Sequence, residues 1–221
     1  MQTANIKEIF TSIQGEGPYI GFKQLFIRFC GCNLSCSYCD TDFDSKNSKT
    51  YSSAELINIV NNCTECHSIS LTGGEPLLYY EFLQDFLPYC KLPVYLETNA
   101  TLPKELEKII DYVDYIAADI KLPSATNISP LWNEHDIFFE IAAKKNLFAK
   151  IVFNQNITDD EITKSINLAS KYNAEIILQP MFSGTNILPE TIFIEKTFDK
   201  FLKIYKKVRV IPQVHKFMNV R

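Results

Sequence analysis

Glycine is scarce in this chain, with seven in 221 residues, against roughly 7% in an average globular protein. A chain that avoids glycine elsewhere keeps it where backbone must turn tightly or approach a ligand. Gly15, Gly17, Gly21, Gly31, Gly73, Gly74 and Gly184 therefore mark candidate close approaches, with ordinary turns as the plain alternative. No apolar run reaches the roughly 18 residues that span a bilayer, and residues 1–10 lack the basic-then-apolar layout of a secretory leader. No membrane association is expected. Disulfide staples are unnecessary at this length, and seven cysteines make an odd number. Thiols kept free need a reducing compartment, so the cytoplasm is the expected location. Excess positive charge is missing too: the net charge is −4, which disfavours direct nucleic-acid binding. Lys196, Lys200, Lys203 and Lys207 recur at helical spacing opposite an apolar stripe of Ile194, Phe198, Phe201, Tyr205 and Val208, which reads as a solvated helix face.

What the chain does have is 46% hydrophobic residues, enough for one domain over 1–221 with a sizeable core. Runs rich in β-branched or aromatic residues at 25–29, 68–71, 94–97, 115–119, 149–153 and 175–179 predict strands. Amphipathic segments at 53–61, 81–89, 104–112, 136–145 and 159–172 predict helices. Ser52 and Ser53 ahead of Glu55, Pro103, and Thr158 ahead of Asp159 and Glu161 are helix-start signals. Strands alternating with helices mean βα units on a parallel sheet. Six units are too few to close an eight-stranded barrel. The predicted fold is α/β, a partial (βα)6-type barrel, with an extra strand at 5–10 beside it.

Ligands of parallel α/β folds gather at the carboxyl ends of the strands, and the unusual motifs of this chain fall there. The first strand runs into Cys32-Asn33-Leu34-Ser35-Cys36-Ser37-Tyr38-Cys39. The second ends at Thr72-Gly73-Gly74-Glu75-Pro76, the third at Thr98-Asn99, the fourth at Lys121 and the sixth at Gln179-Pro180-Met181. Closely spaced thiolates are soft ligands suited to zinc or iron–sulfur. Three of them, without a fourth at zinc-finger distance, can hold a [4Fe–4S] cube with one iron open to a small molecule.

The Cys-x3-Cys-x2-Cys run with Tyr38 before its last cysteine resembles the radical S-adenosylmethionine (SAM) superfamily, and Gly73-Gly74-Glu75 resembles that superfamily's glycine-glycine-glutamate motif. The fold it implies is the radical SAM barrel. A narrower resemblance spans nearly the whole chain. It rests on Ile13-Gln14-Gly15-Glu16-Gly17, Arg28, Asp40-Thr41-Asp42-Phe43, Glu97-Thr98-Asn99, Asp119-Ile120-Lys121 and the end, Gln213-Val214-His215-Lys216-Phe217-Met218-Asn219-Val220-Arg221. These motifs are similar to those of the 7-carboxy-7-deazaguanine synthases, lyases of the 7-deazapurine (queuosine) pathway that supplies a tRNA modification.

That resemblance implies a [4Fe–4S] cluster on Cys32, Cys36 and Cys39, with SAM and Mg²⁺ as further cofactors. It implies 6-carboxy-5,6,7,8-tetrahydropterin as substrate, attacked at C6 by an adenosyl radical, with ring contraction and loss of ammonia. Ile13, Gln14, Gly15, Glu16, Thr72, His215 and Arg221 are the implied substrate contacts, and Arg28 would pair the substrate carboxylate through its planar fork. Tyr38, Asp40, Gly74, Glu75, Asp119, Ile120, Lys121, Gln179, Pro180, Met181 and Phe182 would contact SAM, Glu75 by receiving its ammonium. Thr41 would meet Mg²⁺, with Asp42 and Asp44 as alternatives. No protein side chain is expected to act as the catalytic acid or base. The implied partners are a flavodoxin or ferredoxin as electron donor and a second copy in a homodimer.

Other readings stand beside these. Cys63-Thr64-Glu65-Cys66-His67 has a Cys-x2-Cys pair that could hold an auxiliary metal, though idle thiols read equally simply. Cys30 and Cys90 read as packing residues. A lone histidine such as His215 serves structure as often as function. Ala100 and Asn219 stand where the resembled family commonly has glycine, which bears on local loop shape. An activase acting on a protein would share the cluster and SAM motifs while lacking the 14–17 run and Arg28.

Overall fold

A computed structural model of the chain describes residues 2–39 and 41–220. Asp40 and Arg221, assigned above to SAM and to substrate, lie outside the described residues. The strands are β1 (Thr3–Ile13), β2 (Lys23–Phe29), β3 (Lys49–Ser52), β4 (Ser68–Gly73), β5 (Val94–Thr98), β6 (Tyr115–Asp119), β7 (Asn146–Phe153), β8 (Glu175–Pro180), the short hairpin β9 (Phe182–Ser183) and β10 (Asn186–Ile187), and β11 (Val208–Val210). The helices are α1 (Ser53–Asn61), α2 (Tyr80–Phe86), α3 (Pro103–Ile109), α4 (Pro123–Thr126), α5 (Trp132–Ala142), α6 (Asp159–Lys171), α7 (Thr191–Ile204) and α8 (Val214–Met218). Among the described residues the main sheet has nine strands in the order β11-β8-β7-β6-β5-β4-β2-β1-β3, open at both ends. The seven strands from β11 to β2 are parallel. β1 runs antiparallel to β2 and to β3.

Local signals explain the helices best where side chains satisfy the first turn. Ser52 and Glu55 form a reciprocal capping box on α1, and Thr158 and Glu161 form the same device on α6. Two expected helices end early in one-turn 3₁₀ segments, Leu87–Tyr89 and Ile110–Tyr112. In the first of them Pro88 removes a backbone donor. α5 begins at Trp132, four residues before the expected start. The C-terminal stripe is corrected as well. α7 ends at Ile204, Tyr205 turns extended and donates its hydroxyl to the Ala174 carbonyl at 2.9 Å, and Val208 lies on β11. The parallel set therefore has one strand more than expected.

Parallel sheets are usually covered on both faces and read as unbroken apolar runs. Here the strands alternate. Leu25, Ile27 and Phe29 of β2, Ile69 and Leu71 of β4, Leu96 of β5, and Ala149, Ile151 and Phe153 of β7 all enter one apolar core, on the side covered by helices. The intervening residues face the other way. At the amino-terminal end of that inner face Tyr95, Phe148 and Tyr115 pack with Tyr19, whose ring lies 4.7 Å from Tyr115 and 5.6 Å from Tyr95. This aromatic floor closes one end of the concave side. Above it the inner face turns polar, with Thr72, Glu97, Asp119, Lys150 and Gln179 lining one cavity.

Among the described residues no helix is long and apolar enough to cross a membrane.

Leu96 is fully buried on the core side of β5. Leu96→Ala is expected to lower folding stability by roughly 2–5 kcal/mol, read as a shifted urea midpoint with an unchanged slope.

Candidate active site

At the carboxyl ends of the parallel strands lies a cavity of about 300 Å³. Of the residues expected to bind substrate, Ile13, Gln14, Gly15, Glu16, Arg28, Thr72 and His215 all line it. So do Cys32, Cys36, Cys39 and Thr41, and Tyr38, Gly74, Asp119, Lys121, Gln179, Pro180, Met181 and Phe182. Two expected SAM contacts do not. Ile120 turns its side chain into the core, 1% exposed, and its amide donates to the Lys150 carbonyl at 2.9 Å. Glu75 is fully buried outside the cavity wall.

The cysteine loop is held by contacts that leave its thiols available. Gly31 N–H donates to the Phe43 carbonyl at 2.7 Å and closes the loop's base. Ser37 donates through its amide to Thr126 at 2.9 Å and through its hydroxyl to Ala125 at 3.0 Å. Beyond the cysteines, Lys7 of β1 pairs with Asp42 at 2.8 Å and Asp44 at 2.6 Å. The Cys32 sulfur accepts only long contacts, from Leu34 N–H at 3.5 Å and Asn99 Nδ2 at 3.8 Å. Burial pushes the Cys32 and Cys36 thiols up in pKa. All seven cysteines are free. Among the described residues no three Cys, His, Asp or Glu side chains converge on a single metal ion. A cube takes each thiolate on a separate iron, and three free thiols spread along one pinned loop are the donor set it requires.

The glycine-glycine-glutamate turn is a structural joint. A methyl group on Gly74 would overlap the Gly31 carbonyl oxygen, so backbone lies on backbone where β4 ends and the cysteine loop begins. Gly74 N–H donates to Phe29 O and Glu75 N–H to Gly31 O, both at 2.9 Å. The Glu75 carboxylate accepts from Leu77 N–H at 3.1 Å, the Thr98 hydroxyl at 2.9 Å and Asn99 N–H at 2.8 Å. Burial raises its pKa to about 7 against these three hydrogen bonds. Its role is a brace: Asn99, fixed through its amide, extends Nδ2 to Asn33 at 2.8 Å and toward Cys32.

A chain of opposite charges crosses the cavity wall. Gln213 Nε2 donates to Glu16 at 2.7 Å, and Lys150 Nζ contacts the other Glu16 oxygen at 2.7 Å and Asp119 at 3.2 Å. Lys121 Nζ holds the second Asp119 oxygen at 2.7 Å and donates to the Tyr38 hydroxyl at 3.3 Å. Burial pushes the Glu16 carboxyl upward, but Lys150 and Gln213 bring it down to about 2. For Lys150 burial works downward and the surrounding Asp119, Glu16 and Glu97 carboxylates win, leaving the ammonium firmly charged. Lys150, Glu97 and Gln213 were missing from the expected site. Lys150 did carry a signal, as one charge inside the run Ala149-Lys150-Ile151-Val152-Phe153.

The remaining walls differ in chemistry. Phe10 and Phe26 stack at 5.3 Å, and the Arg28 guanidinium lies 5.1 Å from the Phe10 ring with a long 3.4 Å contact to Glu8. Gln14 donates to Gln24 at 2.9 Å and Glu97 at 3.0 Å, while Thr72 donates to Glu97 at 3.3 Å. Gln179 is 3% exposed, and its Oε1 is a buried acceptor with no partner among the described residues. On the far wall, Val214 N–H donates to Gly15 O at 2.9 Å, and a methyl on Gly15 would strike the backbone and ring of His215. Gly21 and Gly184, by contrast, sit at positive φ with open space around them, as ordinary turn residues do. Ala100 and Asn219, where glycine was anticipated, adopt φ of 57° and 52°, so the left-handed loop shape is kept without glycine. His135 is buried behind the site. Its Nδ1 binds the Ala100 carbonyl at 3.1 Å and its Nε2 accepts Lys121 N–H at 3.2 Å. Burial lowers its pKa to about 4, so the ring is a neutral support for the Lys121 backbone.

Cys63 and Cys66 do not line this cavity; they lie on the loop between α1 and β4. Burial and the neighbouring Cys63 push the Cys66 thiol up to about 12. Cys90 donates weakly to the Phe86 carbonyl at 3.6 Å and Cys30 is buried, both in packing roles.

Residues 26–187 match the radical SAM superfamily. The 7-carboxy-7-deazaguanine synthase of Geobacter sulfurreducens is 38% identical, with 97% of each chain covered. Its namesake from Archaeoglobus fulgidus is 37% identical, with 99% of each covered. The crystal structure of QueE from Escherichia coli shares the fold with a TM-score of 0.68, at 18% identity over 96% of this chain and 95% of that one. Methylornithine synthase (PylB) shares it more distantly, with a TM-score of 0.52, at 14% identity over 85% of this chain and 63% of that one.

Glu75→Gln is expected to place an amide donor against a backbone donor at Leu77 or Asn99. It should lower stability by roughly 1–3 kcal/mol in chemical denaturation, with Glu75→Asp too short to restore it.

Proposed function

Because the chain belongs to the 7-carboxy-7-deazaguanine synthases within the radical SAM superfamily, we propose that this cavity converts 6-carboxy-5,6,7,8-tetrahydropterin to 7-carboxy-7-deazaguanine. The protein is a radical SAM lyase, and the reaction removes hydrogen at C6, contracts the ring and releases ammonia. One observation supports the assignment above the others: the cysteine loop, the Arg28 fork, the ionised Glu16 and the orphaned Gln179 acceptor all face one cavity.

When bound, a [4Fe–4S] cluster together with SAM would supply the one-electron radical chemistry for hydrogen abstraction. Cys32, Cys36 and Cys39 would hold that cluster. Gln179 Oε1, buried and without a partner, suits an N–H of SAM, since a buried acceptor gains from a donor. Gly74, Asp119, Lys121, Tyr38, Pro180, Met181 and Phe182 complete the SAM wall; Ile120 contributes backbone, and Glu75 both braces the loop and is the carboxylate assigned to the SAM ammonium. On the opposite wall Glu16 offers a fixed carboxylate to the pterin's N–H edge, and Phe10 and Phe26 give a flat heterocycle an apolar face. Ile13, Gln14, Gly15, Thr72 and His215 enclose it. Arg28 is placed to take the substrate carboxylate with two parallel bonds.

The finer parts of the reading rest on single residues. Mg²⁺ is assigned to Thr41, a hard oxygen donor at the cavity. The Asp42 and Asp44 carboxylates are engaged by Lys7 instead. A flavodoxin or ferredoxin as donor, a homodimer and a cytoplasmic location belong to the same reading, and free thiols throughout accord with the last. The relatives named above make a small molecule, and nothing in them favours an activase of a protein substrate.

Turnover of carboxytetrahydropterin with SAM and dithionite tests the reading directly. Cys32→Ala, Cys36→Ala and Cys39→Ala should each abolish the reconstituted cluster, its visible absorbance and all product. A Cys63→Ser/Cys66→Ser variant should keep about four irons per chain; an iron-depleted, inactive double variant would move the cluster to the other thiols. Arg28→Lys should spare SAM binding but weaken pterin binding by roughly 1.5–3 kcal/mol, the worth of one charge-assisted pair. Unchanged pterin affinity by calorimetry would remove Arg28 from the substrate site.

A further inference from the structure

Lys150 belongs to no motif that led to the site, yet it is the cation on which two walls of the cavity converge. Its side chain is 10% exposed, and its ammonium stands 2.7 Å from Glu16 and 3.2 Å from Asp119. Register explains half of this: Lys150 on β7 pairs directly with Asp119 on β6, so both side chains leave the same face. Glu16 arrives separately, from the segment after β1. Remove the ammonium and Asp119 keeps Lys121, whereas buried Glu16 is left with the neutral Gln213 amide facing Asp119 and Glu97, an arrangement that favours a proton on Glu16. A protonated Glu16 would present a hydroxyl where the proposed substrate offers an N–H donor.

We propose that Lys150 is a positioning residue for pterin binding: by holding Glu16 and Asp119 on one ammonium, it keeps Glu16 an acceptor for the substrate's N–H edge while Asp119 serves the SAM wall. This inference rests on the function proposed above. Gln213 fixes one Glu16 oxygen and Lys150 the other, so the carboxylate cannot rotate away. A carboxylate has about four lone-pair sites, and those left over are the ones a substrate can use. The titratable and charged groups facing Glu16 are Lys150 on β7, His215 in the C-terminal segment, Glu97 and Tyr95 on β5, and Asp119 beyond Lys150. Among these, Lys150 makes a short, buried ion pair with Glu16.

The test is pterin affinity by fluorescence titration on the reconstituted holoenzyme, for the unmodified chain, Lys150→Met, Glu16→Gln and the double variant. Lys150→Met should lose about tenfold near pH 7, the loss expected when burial beside Asp119 and Glu97 without the ammonium lifts the Glu16 carboxyl about one unit above that pH. It should regain affinity as pH rises to about 8.5, when the carboxylates ionise again. The unmodified chain should show no such dependence, since its Glu16 stays ionised throughout. In the Glu16→Gln background, adding Lys150→Met should change affinity by no more than about twofold, because residues that act through one another are not additive. That double variant also removes both members of the buried pair, so it remains informative if Lys150→Met alone folds poorly. Multiplying losses in the double variant, or a Lys150→Met affinity loss that is flat with pH, would overturn the inference. No pterin binding by the unmodified chain would overturn the proposed function and this inference together, a result distinct from either.

Discussion

Backbone pressed on backbone at Gly74 and Gly31 is the contact from which the rest of the site is hung. It joins the end of β4 to the start of the cysteine loop without a side chain between them, and the two amides of Gly74 and Glu75 stitch the joint to Phe29 and Gly31. Three thiols on a free loop would wander by ångströms, whereas a cluster needs its ligands in fixed directions. The Glu75 carboxylate is consumed in the same joint. Through Asn99 it reaches the sulfur of Cys32, so the glycine-glycine-glutamate motif also braces the cysteine loop.

From that joint, charge alternates across the cavity wall. Tyr38 lies within the cysteine loop, Lys121 and Asp119 belong to the end of β6, Lys150 to β7, Glu16 to the segment after β1 and Gln213 to the chain's last stretch. Buried charges are tolerable when each is neutralised by a neighbour and hydrogen-bonded, and this series satisfies that rule from one side of the mouth to the other. It also brings the proposed SAM wall and the proposed pterin wall into direct contact, since Lys150 touches a carboxylate of each.

Much of this could be read in the residues alone, and the failures are physically instructive. Capping boxes at Ser52 and Thr158 are local devices, visible within four residues, and both helices start where they point. The cysteine run and the motifs at strand ends are also local, and the sheet brings nearly all of them to one cavity. What escaped depends on partners remote in the chain. Lys150 finds Glu16 across 134 positions, and no window along the sequence contains both. The bracing role of Glu75 could not be read because its three donors come from Leu77, Thr98 and Asn99 once the chain has turned back. β11 was hidden for the opposite reason: Tyr205 and Val208 continue a helical spacing after the helix has ended, and period alone does not show where a helix stops.

The two faces of the parallel strands carry different texts, apolar residues toward the helices and polar ones toward the cavity, written one residue apart. Heredity can edit them separately. A point substitution at Thr72, Glu97 or Gln179 alters chemistry while leaving the packed side untouched, and one at Leu71, Leu96 or Leu178 does the reverse. A one-codon deletion inside β7 has no such freedom, because a shift of one residue exchanges the faces along the strand. It would drive the Lys150 ammonium into the core and put Ile151 where the carboxylates are. Lineages descended from this chain should therefore drift by replacement within the strands and by gain or loss of length only in the connections between them.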